Sequence, residues 1–303
     1  MMLLRALLAF LLFVPPVFAQ TSQPAPYRLA PYKDELFAYQ RVLESDLDGA
    51  YRVVEYDRPR DLYARDVERG TRVDPKYVSL ETEAVESDLV FREGRLSVRH
   101  IAVGRREGAK AIVLFVHGRG ANRHSGANDW IHGGNFNRIK NLMMRNDGLY
   151  LSTDFSNFGD KGTREVRALL LDYAKLSPGA PVFLACGSWG GRICWRLFRD
   201  PAIAPLLGGF ILFDAATPES FIAEAARTPP ERRIPIQIST SAEDRVMGWR
   251  SQRRFLSALK ARVPDYPARL VHFSAGTHGL SLRMTDWRET VNWMLSVRDG
   301  EPS

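Results

Sequence analysis

Three side chains in the later part of the chain have the types and order that suit nucleophilic catalysis: Ser188, Asp244 and His278. A serine hydroxyl is a weak nucleophile until an adjacent base takes its proton. A histidine can be that base if a carboxylate holds its tautomer and stabilises its charged form. Ser188 stands in ACGSWGG, residues 185–191, where small residues surround it. In a tight strand-to-helix turn, small neighbours avoid clashes and the hydroxyl is pushed out of the backbone. Cys186 occupies the first position of the G-x-S-x-G pattern and is small enough to serve there. The plainer reading of Ser188 is a serine in a glycine-rich bend. Asp214 is a second candidate acid, since it also follows an apolar run, and a helix cap is the alternative role for either aspartate.

The elements around these residues decide between the readings. Residues 88–104 alternate apolar and polar on either side of Glu93-Gly94, as two hairpin strands do. AIVLFV, LYLSTDF, PVFLAC, GGFILFDA, IPIQIST and ARLVHF are apolar runs suited to strands buried on both faces. Between them lie helical patterns: NFNRIKNLMMR, TREVRALLLDYAKL with Thr163 as its cap, GRICWRLFRD, PESFIAEAAR and WRSQRRFLSALKAR. SLRMTDWRETVNWMLSVR reads as one final helix. This alternation predicts an α/β fold, a mostly parallel central sheet with helices on both faces and an antiparallel leading edge. The connection between FILFDA and IPIQIST is too short for a large lid domain. In such sheets, sites form beyond the carboxyl ends of the strands. There stand His117-Gly118-Arg119-Gly120, the Ser188 turn, the loop with Asp244, and Thr277-His278-Gly279.

The turn at Ser188, the Ser–Asp–His order and the HGRG turn resemble the α/β-hydrolase superfamily over residues 88–298. That resemblance implies Ser188 as nucleophile, Asp244 as acid and His278 as base. It also implies an oxyanion hole from the backbone N–H groups of Arg119 and Trp189, each such donor being worth ~3 kcal/mol in the transition state. The activity expected is hydrolysis of a carboxylic ester through an acyl-enzyme, with no cofactor. A peptidase, an amidase or an acyltransferase on the same fold would use the same groups, and a non-catalytic binding protein would need none of them. His117, Gly118, Arg123 and Asp154 are candidate substrate contacts. Arg119, Arg123 and Arg192 are candidate anion clamps, Trp189 and Trp130 a candidate aromatic wall, and His124 and His132 candidate pocket residues. His100 and His272, inside strands, read as structural. The expected substrate is an ester-containing small molecule, lipid or acylated glycan.

The remaining sequence bounds the setting. Residues 1–19 combine Arg5, an apolar core and Ala19, the pattern of a cleaved signal peptide, and predict a periplasmic or secreted protein. Residues 20–87 are expected to be a Pro-rich tether followed by a helical or irregular extension, and 299–303 a short tail. A formal net charge of +7 is compatible with peripheral contact with an anionic envelope, but the charges are spread. No aromatic-basic signature points to nucleic acid. No His, Cys or acid cluster has metal-ligand spacing, and no phosphate loop occurs. Cys186 and Cys194 are expected to be buried free thiols, because a helix opened by Ser188 advances ~1.5 Å per residue.

Overall fold

A computed structural model describes residues 26–300 of the protein. The expected signal peptide and the start of the tether lie outside the described residues. The strands are β1 (Val42–Asp46), β2 (Tyr51–Val54), β3 (Asp66–Glu68), β4 (Arg72–Val73), β5 (Glu86–Glu93), β6 (Leu96–Gly104), β7 (Ile112–Val116), β8 (Leu149–Thr153), β9 (Val182–Gly187), β10 (Leu207–Phe213), β11 (Ile236–Ser241) and β12 (Ala268–Phe273). The helices are α1 (Asp34–Phe37), α2 (Asn135–Arg145), α3 (Asp160–Leu176), α4 (Gly191–Phe198), α5 (Ser220–Ala225), α6 (Trp249–Arg262), α7 (Leu280–Met284) and α8 (Trp287–Arg298). No described helix is long and apolar enough to cross a membrane.

Ten strands form one sheet in the order β1-β2-β12-β11-β10-β9-β7-β8-β6-β5. The run from β2 to β8 is parallel, and β5, β6 and β1 add antiparallel edges. Strands β7, β9 and β10 are buried at every position, as expected where helices cover both faces. Two large apolar clusters result, with a small third around Val54, Val271 and Phe273. Leu184, Ile193, Leu212 and Leu256 lie in one of the large clusters, and Phe115, Phe183, Ile211 and Trp287 in the other.

The structure departs from the sequence reading in four places. Residues 42–54, expected to be helical or irregular, form the β1–β2 hairpin, and β2 pairs in parallel with β12. Helix α3 begins three residues before Thr163, whose hydroxyl donates to the Gly159 carbonyl from inside the first turn rather than capping it. The last helix is two helices. Asp286 accepts from the amides of Arg288 and Glu289 and so starts α8 afresh after α7.

The fourth departure is that Cys186 and Cys194 are joined by a disulfide, with Cα atoms 6.5 Å apart. The expectation of free thiols treated the helical rise as distance gained. The turn at Ser188 instead folds α4 back along β9. Six helical residues return ~9 Å, while two strand residues span ~6.6 Å, so the two cysteines come level. The bond closes a loop of 8 residues' separation around the turn. Such a loop is expected to stabilise the fold by about 2–3 kcal/mol. Urea unfolding of Cys186→Ala/Cys194→Ala should show a loss of that size, and an unchanged midpoint would refute a stabilising role.

Candidate active site

Ser188 follows β9 directly and has φ +48, in the left-handed region that non-glycine residues rarely enter. Such a conformation costs on the order of 1–3 kcal/mol and persists only where the surroundings enforce it. Here they do. A Cβ at Gly190 would overlap the Val116 carbonyl oxygen and stand 2.7 Å from that of His117. At Gly191 it would meet the Ala215 side chain at 3.0 Å. Only glycine lets α4 start this close to the neighbouring strand ends, and that closeness forces the turn at Ser188.

The sheet brings Asp244 and His278 to the same turn. Asp244 lies after β11, with a side chain fully shielded from solvent. Its Oδ1 accepts from the amides of Val246 and Met247 at 2.7 and 2.9 Å, and its Oδ2 lies 2.8 Å from His278 Nδ1. The imidazole that carries its proton on Nδ1 donates to Asp244 and turns the Nε2 lone pair to Ser188 Oγ, 2.9 Å away. The His278 side chain is 28% exposed, so the imidazole, unlike the Asp244 carboxylate, reaches solvent.

Asp214, the rival acid, does something else. It has φ +44, is buried, and its Oδ2 accepts from the Gly279 amide at 2.8 Å and the Ser281 hydroxyl at 2.7 Å. It therefore ties down the loop just after His278 without touching the imidazole nitrogens. Burial, with the charge of Asp244 adding to it, pushes its carboxyl up to about 6, against the hydrogen bonds from Ser281 and Gly279 and the pull of His278. Asp214, Asp244 and His278 each offer a ligand atom within 4.8 Å of the others, as a metal site would. Each is already engaged: Asp244 with His278 and the Val246 and Met247 amides, His278 with Asp244 and Ser188, and Asp214 Oδ2 with Gly279 and Ser281.

The HGRG turn packs on the Ser188 turn. A Cβ at Gly118 would be 3.1 Å from Ser188 Cβ and 3.2 Å from the Gly187 carbonyl oxygen. Ser188–Gly190 is a short 3-10 turn, whose first N–H groups have no acceptor within the turn. The Trp189 and Arg119 amides thus stand on the two segments that meet at the serine. His117 is buried, lies 2.8 Å through Nδ1 from the Gly118 carbonyl and stacks on Phe155 at 4.3 Å, so it shapes the turn.

Two expected substrate contacts are already engaged. Arg123 holds Asp154 at 2.7 Å and Asp88 at 2.9 Å with its guanidinium largely buried, so Arg123 and Asp154 fasten the loop after β7 to β5 and β8. His124 is exposed, 3.9 Å from Asp88, and His132 packs edge-on against Phe136. Trp130 lies under the Arg72 guanidinium. His100 and His272 are buried against Tyr173 and Tyr51, as their strand positions suggest. A surface groove of about 1980 Å³, lined by Gly208, Pro235 and Pro267 among others, lies at the opposite ends of the strands and contains none of Ser188, Asp244 and His278.

Similarity to known proteins gives the family and the fold. A model described as "Alpha/beta hydrolase family" matches residues 113–301. The chain belongs to the alpha/beta hydrolase family. An esterase from Pyrococcus furiosus, Pf2001, has a similar structure, with a TM-score of 0.52 at 12% identity, over 72% of this chain and 95% of that one. A putative dienelactone hydrolase from Klebsiella pneumoniae gives a TM-score of 0.51 at 12% identity, over 69% of this chain and 98% of that one. These identities speak for the fold of this alpha/beta hydrolase. No curated protein matches its sequence.

The disulfide and the brace from Asp214 are among the features of this alpha/beta hydrolase that escaped the sequence. Asp214 yields a test of pH dependence. Its folded-state pKa lies above the ordinary value of 3.8, so the folded state keeps a proton that the unfolded chain loses between about pH 4 and about pH 6. Its contribution to stability therefore falls as pH rises through that window. Asp214→Asn keeps an oxygen for Gly279 and Ser281 and removes the titration. Relative to the parent, the variant should gain up to about 3 kcal/mol between pH 4 and pH 7, read from urea midpoints. Parallel curves would show that Asp214 does not titrate there.

Proposed function

We propose that the protein is an exported serine hydrolase that cleaves carboxylic esters, with Ser188, His278 and Asp244 as its catalytic residues. The observation that carries this reading is the unbroken chain from Ser188 Oγ to His278 Nε2, at 2.9 Å, and from His278 Nδ1 to Asp244 Oδ2, at 2.8 Å. His278 takes the serine proton as Oγ bonds to the ester carbonyl carbon. The carbonyl oxygen becomes an oxyanion facing the amides of Trp189 and Arg119. His278 then gives the proton to the departing alkoxide oxygen as the C–O bond breaks, which leaves the acyl-serine. A water that loses its proton to His278 attacks the acyl carbon, and the proton returns to Ser188 Oγ as the acid leaves. The shielded Asp244 keeps its charge close to the imidazolium in both halves.

Two observations support export: the leader-like composition of residues 1–19, and a disulfide of the kind that persists in oxidising compartments.

A fluorophosphonate probe reacts with an activated serine, so it tests the reading directly. Peptide mass spectrometry should locate the adduct on Ser188 and find none in folded His278→Ala. Absence of any adduct in the folded parent protein would sink the catalytic reading. The two aspartates can be told apart by rate. Asp244→Asn favours the wrong imidazole tautomer and should lower kcat on 4-nitrophenyl butyrate by about 10⁴-fold. Asp214→Asn should cost about tenfold or less, since it disturbs only the loop. The reverse ranking would make Asp214 the acid.

A further inference from the structure

Several arginines on this face are already neutralised. Arg58 pairs with Glu243, Arg123 with Asp88 and Asp154, and Arg196 with Asp160. Arg119 and Arg192 are different. Both are exposed, and neither has a carboxylate within salt-bridge distance among the described residues. Instead both lean on one ring, with guanidinium carbons 5.5 and 5.2 Å from the centroid of Trp189. Trp189 is 36% exposed and is the residue after Ser188, and Phe158 meets its ring edge-on at 5.8 Å. Arg119 adjoins Gly118, whose backbone touches the serine turn, and Arg192 lies four residues, about one helical turn, after Ser188.

A guanidinium resting on an indole face keeps its N–H edge free and loses part of the side-chain freedom that a ligand would otherwise have to remove. Two such edges beside the nucleophile form an unoccupied charge on an apolar platform. We propose that Arg119, Arg192 and Trp189 form an anion subsite, so that the preferred ester carries a carboxylate or phosphate group in addition to its scissile bond. This rests on the serine-esterase reading for its link to catalysis, though the subsite itself is a binding property.

Two matched substrate pairs test it. 4-Nitrophenyl hydrogen adipate against 4-nitrophenyl methyl adipate places the charge on the acyl side. 4-Carboxyphenyl butyrate against 4-carbamoylphenyl butyrate places it on the alcohol side. In one of the pairs, kcat/KM should favour the anionic member by about three- to tenfold. That ratio should shrink in about 1 M salt, where screening is near 3 Å, and should fall toward unity in Arg192→Gln and below it in Arg192→Glu. An active enzyme with no preference in either pair, or with a preference that survives Arg192→Gln, overturns the subsite. Calorimetric titration of Ser188→Ala with the two adipate and the two butyrate esters reads the same preference without turnover. If the parent hydrolyses none of these esters yet Ser188→Ala binds an anionic one more tightly through Arg192, the hydrolase reading falls and the subsite stands. Equal binding within both pairs removes the subsite.

Discussion

A close approach between the start of α4 and the carbonyls at the end of β7 governs the rest of the site. Gly190 has no Cβ because the oxygens of Val116 and His117 occupy that space. The price is borne by Ser188, driven to φ +48. That strain needs rigid walls, and β9 and the inner face of α4 supply them, with Cys186, Ile193 and Cys194 fully buried. The disulfide then joins the strand before the turn to the helix after it. A relaxed turn would lay the serine hydroxyl back against the sheet. It would also separate the Trp189 amide from the HGRG segment, because the same contact positions both.

The two carboxylates near His278 show how one small volume can hold two acids without holding two equal charges. Asp244 has two amides and an imidazole to stabilise its anion. Asp214 has one amide and one hydroxyl on Oδ2, while its buried Oδ1 has no hydrogen-bond partner among the described residues. Burial and repulsion from Asp244 therefore act together on Asp214 and drive it toward its neutral form. Environments that push neighbouring pKa values apart commonly assign different tasks to chemically identical groups. Here one carboxylate faces the His278 imidazole, and the other holds the backbone that carries it.

The alternation of apolar runs and amphipathic segments from residue 88 onward made the sheet legible, because strands buried on both faces leave continuous apolar stretches. The order of Ser188, Asp244 and His278 was legible because each follows such a stretch. What escaped depends on distance in space. Arg123 looked available because Asp88 and Asp154 are each more than thirty residues away in the chain. The cysteine pairing depends on a chain reversal, which an axial rise alone does not describe. The β1 strand, VLESD, is exposed at every position and so carries no period-two signal at all. The break at Asp286 was hidden by an apolar period that runs on through α7 and α8.

The segment before residue 88 is more than a tether, and the contacts of β12 show why. The loop bearing His278 leaves the end of β12, whose outer neighbour is β2. Tyr51 of β2 reaches His272 of β12 at 3.0 Å. Further along, Arg283 of α7, in the helix entered from that loop, donates to the Asp61 carbonyl at 2.9 Å and to Asp66 at 3.0 Å. Arg58 reaches Glu243, the neighbour of Asp244. The acid loop and the base loop are thus both held from outside by residues 51–66. Within the sheet, β11 and β12 set only where these two loops begin. Asp214 braces the His278 loop from inside at Gly279 and Ser281, and residues 51–66 add restraint from the outer side. Where a side chain takes part in a reaction, a shift of about 1 Å can cost on the order of a hundredfold in rate. The early hairpin and the segment after it therefore belong to the same mechanical unit as the His278–Asp244 pair, on the side opposite to the one where the disulfide secures Ser188.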